Sequence, residues 1–361
     1  MRLFLGGDVM TGRGIDQILR HPSDPRLYES WVKQADDYLR LAERKSGPIP
    51  RPVPDSYVWG DLLDDLARLA PDLRIVNLET AVTRADRPEP KGINYRMHPA
   101  NAGVLTAAGL DACILANNHV MDWGIDGLLE TLETLHARGL ATAGAGADAA
   151  RAQALVPLPA GAAQLWVAAV AATDSGVPPA WRPGPIRPGV ALLPDPPESY
   201  AEDLRDRLAP MRQAGDRLLV SIHWGGNWGY DVPDWQRRLA HALIEGADAD
   251  VVFGHSSHHP KAAEVHRGGL ILYGSGDLLN DYEGIGGHAA YPADTALGLF
   301  VDLSATGVQC RMRPYQISRF RLQRADDEAA ARIAAIMAEQ CARFATVAAP
   351  QDSGDILVAS D

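Results

Sequence analysis

Carboxylate, amide and imidazole groups recur in this chain directly after short apolar runs. Gly7-Asp8 follows Leu3–Leu5, Asn77-Leu78-Glu79 follows Leu73–Val76, and Asn117-Asn118-His119 follows Ala112–Leu115. Ile222-His223-Trp224-Gly225 follows Leu218–Val220, and the run from Gly254 to His259 (GHSSHH) follows Val251–Phe253. Short apolar runs of this kind read as buried strands, and open α/β sheets bind ligands beyond the carboxyl ends of their strands. Asp8 and Glu79 offer anionic oxygen, Asn118 a neutral carbonyl oxygen, and His223, His255 and His258 imidazole nitrogen. Such a mixed donor set suits a divalent metal ion of the Mn, Zn, Fe or Ni type, with Ca as a harder alternative, as one ion or two.

Other residues have the chemistry to work around such an ion. His119, beside Asn118, is a candidate acid or base, and Asp8 is a candidate base if it is not spent on coordination. Arg13, Lys91 and Arg96 supply positive charge for a substrate anion. The run from Asp277 to His288 places Tyr282 and Glu283 before a glycine-rich stretch. It makes them candidate substrate contacts and makes His288 a second candidate acid/base. His21, His98, His136, His241, His259 and His266 carry no comparable argument.

The elements needed to hold these groups are visible in the pattern. Val-, Ile-, Leu- and Ala-rich runs alternate with amphipathic segments, as in a sheet covered by helices. Helices are expected at Trp59–Leu69, Ile125–Arg138, Tyr200–Ala214, Trp235–Glu245 and Ala329–Phe344. Further strands are expected at Gln164–Thr173, Leu270–Tyr273 and Leu297–Leu303, the last antiparallel and near an edge. Insertions fall near 21–55, with a helical centre at Tyr28–Lys45, and at 174–197, where dense proline predicts a stiff surface loop. One domain over residues 1–320 is expected, with a C-terminal helix and loosely held tail over 321–361.

Composition narrows the classes. The chain has 361 residues, 46% hydrophobic and 22% charged, which is ordinary for a globular protein. A net charge of −12 argues against sequence-independent nucleic-acid binding. No apolar run reaches membrane-spanning length, and a strand at Arg2–Leu5 leaves no room for a signal peptide, so a cytoplasmic protein with no membrane partner is expected. Cys113, Cys310 and Cys341 are scattered and odd in number, which argues against a disulfide framework.

Taken jointly, GDVMTGR (Gly7–Arg13), NLE (Asn77–Glu79), NYRMHP (Asn94–Pro99), ANNHVMDWG (Ala116–Gly124), HWG (His223–Gly225), GHSSHH (Gly254–His259) and GDLLNDYEG (Gly276–Gly284) resemble the CapA-type poly-γ-glutamate and capsule synthesis family of the calcineurin-like metallophosphoesterase fold. The resemblance runs from about residue 2 to residue 305. It implies an α/β fold of two packed mixed sheets flanked by helices, with a mono- or dinuclear centre between strand ends. It also implies Glu79, Asn118, His223 and His255 as ligands of one metal, Asp8, Glu79 and His258 as what remains for a second, and His119 as general acid. Phosphoesterases of this fold carry Asp-x-His in the first signature, where this chain has Met10, a poor ligand for such ions.

Three functions follow from that resemblance. The first is a metal-dependent enzyme acting on a peptide, in its most specific form a Cα epimerase for the C-terminal residue of a ribosomally made lasso-peptide precursor, with Asp8 and His288 or His119 as the two acid/base groups. The second is a hydrolase of a phosphoester or γ-glutamyl amide. The third is a poly-γ-glutamate or capsule assembly protein.

Overall fold

The computed structural model describes residues 1–285, 291, 294–305 and 307–360. Two sheets pack face to face. The larger has ten strands, and its main path runs Thr346–Pro350, Ile356–Ser360, Gly307–Ser318, Thr295–Ser304, Arg2–Val9, Leu73–Leu78, Ala112–Ile114, Ala141–Ala143. The second has six strands, ordered Ala263–His266, Gly269–Leu272, Val251–His255, Arg217–His223, Ala163–Ala171, Val156–Ala160. Both mix parallel and antiparallel pairs, as expected for the α/β class.

Strand chemistry explains the layering. One apolar cluster contains Leu3, Leu5, Ile75 and Val76 from the first sheet and Leu165, Leu219, Val251 and Leu270 from the second. Alternate residues of the second sheet, including Val220, Ile222 and Val252, turn the other way onto helices Ser199–Leu208 and Asp234–Gly246. Alternation on a pleated strand places successive side chains on opposite faces, so each central strand serves two cores.

Most expected elements stand within two or three residues of their predicted bounds, with instructive exceptions. The helix expected from Tyr200 ends at Leu208, and the helix of the first insertion occupies only Asp36–Ser46. The expected helix at Trp59 is broken: a 3₁₀ turn at Tyr57–Trp59 precedes Leu62–Leu69, because Gly60 adopts φ +45° against the carbonyl of Leu322. Thr295–Ser304 is antiparallel as expected, yet it lies inside the sheet between Arg2–Val9 and Gly307–Ser318. The last residues form strands Thr346–Pro350 and Ile356–Ser360, which close that edge of the larger sheet. The proline-rich 174–197 stretch carries an inward anchor, since Val177, Trp181 and Leu192 are buried in the core.

One backbone contact governs the first signature. Strand Arg2–Val9 pairs with Thr295–Ser304 up to Gly6, then exchanges that neighbour for Asp277–Leu279 at Asp8. A Cβ at Gly7 would lie 1.9 Å from the Gly276 carbonyl oxygen, so only glycine permits the exchange. The crossover carries Asp277 alongside Asp8.

Candidate metal centre

The parallel strands deliver their donors to one edge. Asp8 pairs in register with Asn77, and His223 with His255, each pair at the carboxyl end of its strands. Asp8, His223, His255 and Glu79 are essentially inaccessible to solvent, while His119 and His258 keep a small exposed face. His255 Nδ1 lies 4.0 Å from Asp8 Oδ1, and His223 Nε2 lies 4.0 Å from Glu79 Oε1. Asn77 Nδ2 donates to Asp8 Oδ1 at 2.7 Å and to Glu79 Oε2 at 3.0 Å, fixing both carboxylates. Asn117 Nδ2 donates in turn to Asn77 Oδ1. Ser256, immediately after His255, takes φ +103°, and its N–H points to Asp8 Oδ2 at 3.4 Å.

At this edge, among the described residues, two triplets of donor atoms lie close together: Asp8 with His223 and His255, and Asp8 with His258 and Asp277. Asp8 belongs to both, the position of a bridging ligand. Asp277 was not singled out as a ligand from the sequence, although it lies in the acidic run noted there. It sits 2.9 Å from His258 Nδ1 and is held by Asn280 Nδ2 at 2.8 Å. It therefore brings a carboxylate to the half of the site where Met10 removes an imidazole. Met10 itself is fully buried, with Tyr282 Oη directed at its sulfur.

Do these residues fit a divalent ion? Among the described residues, His223 Nε2 and Asn118 Oδ1 are buried without a hydrogen-bond partner. A buried polar atom without a partner costs about 1–3 kcal/mol, so two together require compensation. Both are lone-pair donors of the kind a borderline divalent cation takes, and the surrounding carboxylates supply the neutralising charge. The donors fit.

The electrostatics agree. Burial, and then the neighbouring Asp277, push the Asp8 carboxyl up to about 7. Burial and Asp8 push Glu79 well above the usual carboxylate range. Burial lowers His255 to about 3 and drives His223 down as well, so both imidazoles are neutral at neutral pH, each with one unprotonated ring nitrogen. Burial also opposes the charged form of His258, but Asp277 and Asp8 outweigh it and raise its pKa. Neutral imidazoles beside carboxylates reluctant to ionise are what a cation would stabilise.

His119 stands next to the donors without belonging to either triplet. Its Nδ1 is 2.7 Å from Asp122 Oδ2, and its Nε2 is 3.9 Å from Glu79 Oε1. Burial lowers it to about 4. With the Nδ1 proton given to Asp122, the neutral ring turns the Nε2 lone pair toward the site, so its resting form is a base. Lys91 closes the same corner: its Nζ lies 2.8 Å from Asp122 Oδ1, bonds the Asn118 carbonyl, and sits 5.3 Å over the Trp181 ring.

The remaining candidates divide. Arg13 is buried and its guanidinium is consumed internally: it bonds Asp281 and Glu29 and stacks on Tyr38 and Tyr95. That arrangement makes it a brace between the first insertion and the 277–281 segment. Arg96 lies 4.0 Å over the Trp123 ring, bonds the Ala85 and Asp24 carbonyls, and lines a surface cleft away from the donors. Glu283 accepts the N–H groups of Arg319 and Phe320, two left-handed residues of a turn, and is a structural group. Tyr282 stays near the site, edge-on to His258 and bonded to Tyr95 Oη at 2.9 Å. His288 lies outside the described residues.

Paired sheets with metal donors at the parallel strand ends define the metallophosphoesterase-like class of α/β proteins. Within it, residues 2–282 match the model of the bacterial capsule synthesis protein family PGA_cap, and the chain belongs to that family. It is 46% identical over 333 residues to a probable polyglutamine synthesis accessory protein of Mycobacterium tuberculosis, covering 90% of this chain and 86% of that one. It is 29% identical over 278 residues to the PGA biosynthesis protein CapA of Bacillus subtilis, covering 76% of this chain and 62% of that protein. These relatives favour the capsule-assembly reading over the epimerase reading, which they do not support. Among the described residues, no helix is long and apolar enough to cross a membrane.

Proposed function

We propose that this protein serves the synthesis of an anionic glutamyl polymer by metal-dependent cleavage or transfer at an amide of that polymer. The observation that carries this reading is His119. It is locked by Asp122 with Nε2 facing the metal donors, and it is in neither donor triplet. A binding-only protein has no use for an oriented, solvent-shielded base. The family resemblance supplies the glutamyl polymer, and the relatives' names, a polyglutamine synthesis accessory protein and a PGA biosynthesis protein, support a polymer of this kind.

Glu79, Asn118, His223 and His255 would hold one ion, and Asp8, His258 and Asp277 a second. A divalent cation bound there supplies Lewis acidity toward a carbonyl or phosphoryl oxygen. The chain's own residues do the rest. His119 takes a proton at Nε2 from the attacking water or amine as that nucleophile bonds the amide carbon, and returns it to the leaving nitrogen as the C–N bond breaks, while Asp122 keeps the ring in the required tautomer. Lys91 fixes Asp122 and adds positive charge at the entrance. Cα epimerisation fits less well. It requires a free base on each face of the carbon, and Asp8 is held by Asn77 and shared between both triplets.

The test is incubation of Mn²⁺- or Zn²⁺-loaded protein with a γ-glutamyl oligomer, following new amino groups and chain length. Metal-dependent shortening or transfer that is lost in His119→Ala, with metal content retained, supports the reading. Unchanged oligomer in every metal form refutes it.

A further inference from the structure

The surface cleft that Arg96 lines has a volume of about 400 Å³. Ligand sites commonly occupy about 300–1,000 Å³. Arg26, Arg84 and Arg96 line the cleft together with Asp24 and Asp86, and Tyr28 and Trp123 supply aromatic walls. On a chain of net charge −12, a cleft with more arginines than carboxylates is a local reversal of sign. We propose that this cleft is a second binding site for an anionic glutamyl chain, holding a stretch of polymer away from the metal donors. The identity of the polymer rests on the function proposed above.

Arg96 is held without being neutralised. Its guanidinium lies 4.0 Å over the Trp123 ring and donates to the Ala85 and Asp24 carbonyls, which fix its plane. Among the described residues, no carboxylate forms an ion pair with it, and the acids near it are otherwise engaged or exposed. Asp16 accepts the N–H groups of Ser23 and His98 and the Asn101 amide. Asp24 pairs with Arg26 at 3.2 Å, and Asp86 is exposed. Burial outweighs Asp16, Asp24 and Asp86 and lowers the Arg96 pKa. A fixed, half-buried guanidinium whose charge is incompletely balanced is what a carboxylate stabilises. Arg84, exposed beside the cleft with Nε 2.7 Å from Glu130, adds a second cation.

Buried polar atoms point to a ligand that also carries amides. A recess of about 10 Å³ adjoins the cleft, sharing Ser23, Arg26, Arg96 and Trp123 with it and adding Asn94. Asn94 is buried, and its Nδ2 donates to the Glu89 and Asp122 carbonyls. Among the described residues, its Oδ1 has no hydrogen-bond partner, nor has the buried Ser23 hydroxyl. The recess has room for about one water, which could serve both atoms and pass a hydrogen bond to a ligand amide. A glutamyl chain offers carboxylates to the arginines, amides to the bridged pair and methylene stems to Tyr28, which is 44% exposed. One stretch of backbone ties the cleft to the candidate centre, because Asp122 holds His119 and Trp123 follows it. Trp123 Nε1 also donates to the Tyr95 carbonyl, and the Tyr95 ring meets His119 edge-on at 4.5 Å.

The test is calorimetric titration of chelator-treated, full-length protein with a γ-glutamyl oligomer, so that binding is read without cleavage. Arg96→Gln should weaken binding by about tenfold or more, as loss of a charge-assisted contact entails. Arg84→Glu, a change at an exposed position that leaves the fold intact, should weaken it as well and flatten its salt dependence. Native binding is expected to exceed that of a polyphosphate of matched charge. The site does not exist if the metal-free native protein fails to bind the oligomer, or if both variants bind it as tightly as the native protein. Equal binding of polyphosphate overturns the assignment to a glutamyl chain. Weakened binding in both variants, with no cleavage by any metal form, upholds this site and refutes the proposed cleavage. Cleavage with binding unchanged in both variants does the reverse.

Discussion

The Nδ1 atoms of His223 and His255 lie 2.8 Å apart, because parallel register sets the two residues side by side at the ends of adjacent strands. Ring nitrogens this close must share a proton or a cation. Ser221 Oγ, 2.6 Å from His255 Nε2, fixes the second ring, and His223 Nε2 faces Glu79. Replacing His223 by Ala removes a lone pair no other residue supplies. Metal content by elemental analysis should fall by at least one ion per chain relative to the native protein, and full retention would contradict the ligand assignment.

Asp277 separates the two halves of the centre. Asp277→Asn keeps the shape but removes the charge that holds His258 and balances a second ion. Losses of about 10–100-fold in affinity are usual when a partner of a metal-binding imidazole is removed. We expect the weaker of two ions to be lost from Asp277→Asn and the tighter one kept, as read from a titration with Mn²⁺ followed by electron paramagnetic resonance. Equal weakening of both would mean that the halves are not distinct.

Asp122→Asn tests the orientation of His119. An amide presented to Nδ1 permits the wrong tautomer, so the Nε2 lone pair is no longer assured. General acid–base contributions run from about 10² to 10⁴, and we expect kcat on the oligomer to fall by at least about a hundredfold with bound metal unchanged. A parallel fall in metal content would instead place Asp122 among the supports of the ligands, since Lys91 links it to Asn118.

Protons and cations compete for Asp8 and Glu79. Their folded pKa values are raised, so the metal-free fold gains stability from their protons below the ordinary carboxylate pKa of about 4 and loses it as pH rises through the raised values. His223 and His255 are lowered and act in the other direction, losing stability as pH falls below about 6.5. A bound cation displaces the carboxyl protons, whereas His255, lowered to about 3, holds none to displace. The rise in Tm on adding a fixed concentration of Zn²⁺ should therefore be larger at pH 8 than at pH 5. An equal rise at both would show that these carboxylates are not ligands.

Arg13 should matter for stability. Its guanidinium is buried between Asp281 and Glu29. Removing one partner of a buried pair costs about 3–5 kcal/mol, because a charge is left in low dielectric. Asp281→Ala should lower the urea midpoint accordingly. A change within error would mean that Glu29 and Tyr38 alone satisfy the cation.

The strand-end groups at Asp8, Glu79, Asn118, His223 and His255 stood out in the chain because each interrupts or ends an apolar run. A buried strand has no reason to end in a carboxylate or imidazole unless the group has a task. The same pattern, local and periodic, placed the helices at Gly124–Ala137 and Asp234–Gly246. Arg13 and Glu283 have internal partners that the sequence does not display. A charged side chain looks identical in sequence whether it awaits a ligand or already has a partner 268 residues away, as Arg13 has in Asp281.

Local sequence thus determined the kinds of groups present and the strand ends that carry them, since hydrophobic periodicity and burial act over a few residues. Tertiary structure alone decided which groups meet. It brought Asp277 beside Asp8 through the crossover at Gly7, set His255 against Asp8, and gathered His241 with Glu264 and His266 at the outer edge of the second sheet. Those meetings depend on strand register and helix docking, which are set by packing across the whole core and leave no mark on any short stretch of the chain.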